Sequence, residues 1–171
     1  MEATRPAAAA WQITGARHAG ITVSDLDRSL GFYCGLLGLE LLWRRLCEER
    51  AIPEIVGVPE ATALDIAMLQ IPGSDVEVEL LEYRGLPQTS GAGPPSHHGT
   101  GHFCVFVDDI DRLYDDLSAR GVRFRSAGAV EQTAGVHRGG KSLYSLDPDG
   151  YIVEFHQRPP SAASPNVRAD A

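Results

Sequence analysis

From His18 the chain alternates: Ala19, Ile21 and Val23 are apolar, and His18, Gly20 and Thr22 fall between them. That period of two belongs to a strand with one dry face. The period then lengthens, with Leu26, Leu30, Tyr33 and Leu37 recurring at spacings of three and four, so the strand feeds an amphipathic helix. A shift of 84 residues, from His18 to His102, lays Val23 on Val107, Asp25 on Asp109, Leu26 on Ile110, Asp27 on Asp111 and Arg28 on Arg112. The same unit is therefore written twice. In the second copy His102, Cys104 and Phe106 alternate with Phe103, Val105 and Val107, and Ile110, Leu113 and Leu117 carry the helical spacing.

Ser24 and Asp108 are the expected N-caps, with Asp27 and Asp111 placing negative charge in the first turns. Gly38 and Gly121 are the expected helix stops. Further strands are predicted at Leu39 to Cys47, Ala63 to Ile71 and Val76 to Tyr83, then at Val122 to Arg125, Lys141 to Leu146 and Tyr151 to His156. Asp147-Pro148-Asp149-Gly150 is a turn, and Ala51 to Glu60 reads as an inserted loop or short helix. The element order is βαβββ, twice. Residues 1–12 are expected to be a flexible lead-in and 13–158 a single domain. Its first module is about 13–83, its Gly/Pro/Ser-rich linker 84–99 and its second module about 100–158; 159–171 is a loose tail.

A chain of 171 residues is long enough for one core. Its net charge of −8 argues against a nucleic-acid partner, and no apolar run approaches the roughly 18 residues needed to span a bilayer. Cys34, Cys47 and Cys104 lack metal-type spacing, so small buried thiols and a reducing, cytoplasmic setting are expected.

Strand parity sorts the polar residues of the last strands. In VEVELLEY, Val76, Val78 and Leu80 suit the helix side, leaving Glu77, Glu79, Leu81 and Tyr83 opposite; in YIVEFH, Tyr151, Val153 and Phe155 leave Ile152, Glu154 and His156. His18, Glu79, His102 and Glu154 thus occupy matching places in the two copies, on the face away from the helix. A carboxylate in an apolar strand is costly without a partner, and two histidines with two glutamates read as a metal site.

The segments HAGITVSDLDRSLGFY, VEVELLEY, HFCVFVDDIDRLYDDLSARGV and DPDGYIVEF together resemble the vicinal oxygen chelate superfamily, which includes glyoxalase I, methylmalonyl-CoA epimerase, extradiol dioxygenases and antibiotic-binding resistance proteins. The resemblance implies an α+β fold in which the two βαβββ modules form one curved-sheet cup. It also implies a divalent metal ion (Fe, Mn, Co, Ni or Zn) held by His18, Glu79, His102 and Glu154, and a homodimer acting on a small molecule. Two open positions on such an ion suit vicinal oxygens of a substrate.

The implied reaction is proton abstraction next to a carbonyl, as in a glyoxalase- or epimerase-like lyase or isomerase, with Glu79 or Glu154 doubling as base. The first three quarters look most like methylmalonyl-CoA epimerase, whose acidic pair on the second strand Glu48 and Glu49 resemble; LYSLDPDGYIVEF stands where epimerases carry an HP-containing segment. The DPDGYxxE ending is similar to glyoxalase I, although Thr22 stands where bacterial glyoxalase I usually has Arg. Gly135-Val136-His137, Leu143-Tyr144, Asp147 to Gly150 and Glu154 also resemble the extradiol signature. That alternative is an Fe(II) dioxygenase with His18, His102 and Glu154 as ligands and with His137 and Tyr144 on the substrate. The third reading is a metal-independent antibiotic-binding protein.

Overall fold

The computed structural model describes residues 11–49 and 51–160. The flexible ends expected at 1–12 and 159–171 fall almost wholly outside those residues. The first module runs β1 (His18–Thr22), α1 (Leu26–Tyr33), β2 (Glu40–Cys47), α2 (Ala51–Ile55), β3 (Ala63–Gln70) and β4 (Glu77–Arg84). The second runs β5 (His102–Phe106), α3 (Ile110–Ala119), β6 (Arg123–Phe124), β7 (Val130–Glu131), β8 (Lys141–Leu146) and β9 (Ile152–Gln157). Each builds its own sheet, in the order β1-β4-β3-β2 and β5-β9-β8-β6, with β7 on β8. In both, the first strand lies parallel to the last, because the chain must cross the sheet to bring β4 beside β1 and β9 beside β5.

The two helices start one residue later than the spacing predicts. Asp25 and Asp109 are the N-caps, their side chains accepting from the Arg28 and Arg112 N–H groups. Ser24 is diverted: its N–H and hydroxyl both donate to Asp149, at 2.8 and 2.6 Å. Gly38 and Gly121 do follow the helices in the left-handed region, with φ of 78° and 83°.

Ile21, Val23, Leu26, Tyr33, Val78 and Leu80 of the first module share one core with Ile110, Leu117, Leu143, Val153 and Phe155 of the second. The helix-bearing faces of the two sheets thus dry each other, as alternation requires. Tyr33 crosses the seam, stacked 6.3 Å from Phe103 and donating from its hydroxyl to Asp147 at 3.0 Å. On the other face of the first sheet, Cys47, Ala61, Leu64 and Ile66 form a second cluster under Ile52, Val56 and Val58. The inserted segment therefore roofs one end of that face. β2 is the outer strand, and its Leu41, Leu42, Trp43 and Leu46 are each more than two fifths exposed.

Buried polar groups anchor α1. Glu82 accepts from the Leu26 N–H at 2.9 Å and pairs with Arg84 at 2.8 Å. Asp65, 6% exposed, receives Arg44 from β2 at 2.9 Å and Arg84 from β4 at 3.1 Å, while Arg44 reaches on to Asp27 of α1. The Arg44 hydrogen bonds hold the Asp65 carboxyl below its usual range against the opposing cost of burial, with Arg84 adding to the effect.

A carboxylate with a lowered pKa in the folded state stabilises it above the unfolded pKa of about 4, and that stability is lost as pH falls through the folded value. Asp65→Asn should therefore cost about 1–2 kcal/mol in urea unfolding at pH 7, with partial exposure of both arginines limiting the loss. The gap to the wild type should close below about pH 4; a gap independent of pH would remove the ion pairs as its cause. Tyr33→Phe strips Asp147, 1% exposed, of the donor to its Oδ2. The same measurement should show a loss of about 1–3 kcal/mol.

Candidate metal centre

The register that closes each sheet also builds each half of the site. Gly20 stands opposite Glu79 on the parallel β1–β4 pair, and His18 is two residues before Gly20. Cys104 stands opposite Glu154 on β5–β9, and His102 is two residues before Cys104. A diagonal neighbour two positions along a strand points to the same face, within reach of a long side chain. His18 Nε2 accordingly lies 3.2 Å from Glu79 Oε2, and His102 Nε2 lies 3.2 Å from Glu154 Oε2. The two pairs use the same atoms at the same separation.

That separation suits shared coordination. Ligand atoms about 2.1 Å from one ion and at right angles to each other are roughly 3.0 Å apart. Imidazole nitrogen and carboxylate oxygen are donors that Fe, Mn, Co, Ni and Zn accept. The glutamates are 19% and 17% exposed, sheltered yet open to a solute. Each pair supplies two ligands only: among the described residues no three His, Cys, Asp or Glu side chains come together as an ion-binding group. The reason lies in the fold, because both pairs sit on the faces turned away from the shared core.

Tyr144 of β8 is opposite Glu154, and its hydroxyl is 3.4 Å from His102 Nε2. Burial, then the Glu154 charge, raise its pKa. His137 is not in this group. It is exposed in the loop before β8, its ring 5.0 Å from that of His156. Glu48 and Glu49 follow the end of β2, exposed, with Glu49 in an ion pair with Arg45; neither joins a His–Glu pair. A cleft lies elsewhere, on the helix side between Leu36, Leu37 and α3.

Sequence reasoning missed Cys104. Of the three cysteines expected to be buried only Cys47 is; Cys34 is half-buried and Cys104 exposed. Although the residue is exposed, partial desolvation of its thiol against the sheet, then the Glu154 charge beside it, push Cys104 up to about 11, so it stays protonated at neutral pH. Its parity with His102 was the available signal. His156, expected at the rim, is 4% exposed. Ser142 Oγ lies 2.9 Å from its Nδ1, and its Nε2 is buried without a partner. Burial first, then His137, lower its pKa. Leaving a buried donor unsatisfied costs about 1–3 kcal/mol.

The profile of the Glyoxalase/Bleomycin resistance protein/Dioxygenase superfamily matches residues 15–155. A lactoylglutathione lyase of Haemophilus influenzae is 33% identical over 142 residues, covering 81% of this chain and 88% of that protein. The lactoylglutathione lyase GLX1 of Arabidopsis thaliana is 31% identical over 150 residues, covering 84% of this chain and 44% of the plant protein. The chain thus spans less than half the length of that relative. A glyoxalase family protein of Bacillus cereus shares the fold, with a TM-score of 0.75 at 19% identity, covering 90% of this chain and 99% of the other. Since the profile match begins before β1 and ends within β9, it takes in both sheets and both His–Glu pairs, and the chain belongs to this superfamily.

Proposed function

We propose that the protein is a metal-dependent lyase of the glyoxalase type, converting the adduct of an α-oxoaldehyde and a thiol into a thioester. We further propose that it works as a homodimer in which the His18–Glu79 pair of one chain and the His102–Glu154 pair of the other complete one four-ligand site. The observation that carries this reading is the duplication of the His–Glu pair at 3.2 Å on the two outward faces. Two half-sites that cannot meet within one chain become whole sites under a two-fold axis, which lays each module against the other module of its partner. The exposed apolar side chains of β2 and the 60% exposed Phe106 of β5 supply surface that such a contact would cover. The relatives named lactoylglutathione lyase support the reaction class.

A divalent ion bound there would act as a Lewis acid, stabilising the oxyanion that develops as the carbon acid ionises. The chain's own work is proton transfer: Glu79 or Glu154 takes the proton from the carbon that bears sulfur and returns it to the neighbouring carbon. The reacting carbons exchange a hydrogen, and no oxidant is consumed. Tyr144, protonated and beside His102, can donate to a substrate oxygen. In the dioxygenase alternative His18, His102 and Glu154 alone hold the ion and His137 and Tyr144 meet the substrate; the duplication of the His–Glu pair, which makes Glu79 the counterpart of Glu154, favours the four-ligand reading.

Protein purified without a tag or added metal should contain about one divalent ion per chain by elemental analysis. Glu79→Ala and Glu154→Ala should each lose it together with turnover of the methylglyoxal–glutathione adduct. Unfolding and refolding the two variants as a mixture should restore about one quarter of wild-type activity, because half the dimers are mixed and each mixed dimer has one intact site. No recovery, or a monomer in sedimentation, would sink the shared site; full metal content in Glu79→Ala would remove Glu79 as a ligand.

A further inference from the structure

The face of β9 that presents Glu154 continues with His156, about 7 Å along the strand, and Arg158 follows just beyond the strand's end. Gln132 Nε2 donates to Ser142 Oγ at 2.9 Å, and Ser142 Oγ lies 2.9 Å from His156 Nδ1. A Ser142 hydroxyl that donates to Nδ1 leaves the ring proton on Nε2. Nε2 is buried and has no partner among the described residues. The ring is fixed on its other sides: Phe106 and His137 meet it edge-on at 5.7 and 5.0 Å, and a Cβ on Gly140 would come within 3.2 Å of its Cε1. Phe106, opposite His156 in the β5–β9 register, also carries the Arg158 guanidinium 3.8 Å from its ring centre. Among the described residues Arg158 has no carboxylate partner. The unpartnered Nε2 and the Arg158 cation therefore belong to side chains that share Phe106 as a neighbour, at one end of the second module's outward face.

We propose that His156 and Arg158 form a carboxylate-binding subsite that holds the anionic tail of the substrate, one strand step along from Glu154. The assignment rests on the reading of Glu154 as part of the reaction centre. A carboxylate accepts from both an imidazole N–H and a guanidinium, and it satisfies the donor that the fold leaves unpaired. His137 packs on His156 from a loop whose residues 133–138 are exposed; the loop is tied at its base, where Gly139 N–H donates to Gln132 O and Gln132 N–H to Gly140 O, both at 2.8 Å. The loop lies outside the β8–β9 ladder, so moving its tip with His137 to admit a ligand leaves that ladder intact. The position matching His156 in the first module, two residues after Glu79, is Leu81. The subsite is thus present once per chain and gives the substrate one direction.

Calorimetric titration of the full-length metal-loaded protein with glutathione and with glutathione diethyl ester tests this. The net charge of −8 opposes the acid, so a preference for it needs a local cation. Wild type should bind the acid about tenfold tighter than the ester. Arg158→Gln and His156→Phe should each cut that ratio to about threefold or less, and Arg158→Lys and His156→Gln should keep most of it. In a ¹⁵N spectrum of the imidazoles, the His156 Nε2 signal should move on adding glutathione. Equal affinity for the two probes, no binding of either, or a ratio unchanged in Arg158→Gln would overturn the subsite, the last variant being at the surface and safe for folding. Turnover on the same samples judges the lyase separately. A carboxylate preference without turnover keeps the subsite and removes the lyase, and turnover without the preference does the reverse.

Discussion

Each sheet of this protein has to be dry on one face, and both sheets meet that demand against the same core. Ile21, Val23, Val78 and Leu80 from one sheet and Leu143, Val153 and Phe155 from the other are withdrawn from water together. At about 25 cal/mol per Å² of apolar surface, that burial is the main favourable term in folding. Its consequence for function is geometric. Once the apolar positions turn inward, every second residue turns outward, so His18, Glu79, His102 and Glu154 are placed by the same alternation that builds the core. The site and the core are two faces of one pattern, and a one-residue slip of β4 or β9 would exchange them.

Polar groups inside the fold decide where the layers sit. Glu82 ties the first turn of α1 to β4, Asp65 joins β2, β3 and β4 through two arginines, and Tyr33 bonds Asp147 across the seam between modules. Asp147 Oδ1 also accepts from the Asp149 and Tyr151 N–H groups of its own turn, so the turn before β9 is fixed on both sides. Glu154 follows three residues later. The turn that leads into the strand of Glu154 is thus bonded to a helix of the other module, while pairing with β5 and β8 sets the register of Glu154 itself.

The two halves share a frame but have different linings. Beside Glu79 are Gly20, Met68 and Leu81; at the corresponding places around Glu154 are Cys104, Tyr144 and His156. One half is apolar and the other carries hydrogen-bonding groups. A metal site needs only what the halves have in common. Orienting an unsymmetrical substrate needs what they do not, and all of those differences lie on strand positions whose parity matches the ligands.

Much of this was legible in the chain itself. The repeat, the strand parity that puts His18, Glu79, His102 and Glu154 on the faces away from the helices, and the helix-stopping glycines follow from periods of two and three to four, which act between near neighbours. What escaped the sequence depends on distant contacts. Ser24 is not the N-cap, since Asp25 accepts the Arg28 N–H, and Ser24 instead donates from its N–H and hydroxyl to Asp149, 125 residues away. The two-residue β7 is too short to leave a period, and the roof over the first sheet is recognisable only once Ile52, Val56 and Val58 are seen against Leu64 and Ile66. Cys104 and Cys47 are the same residue type, yet one is exposed and the other buried. His156 has the parity of a rim residue and is enclosed by a loop. Above all, the sequence placed four candidate ligands on two faces, and tertiary packing turned those faces away from each other. Alternation fixes which side of a strand a residue occupies, whereas the direction that side faces is set by which surfaces the whole chain must bury together.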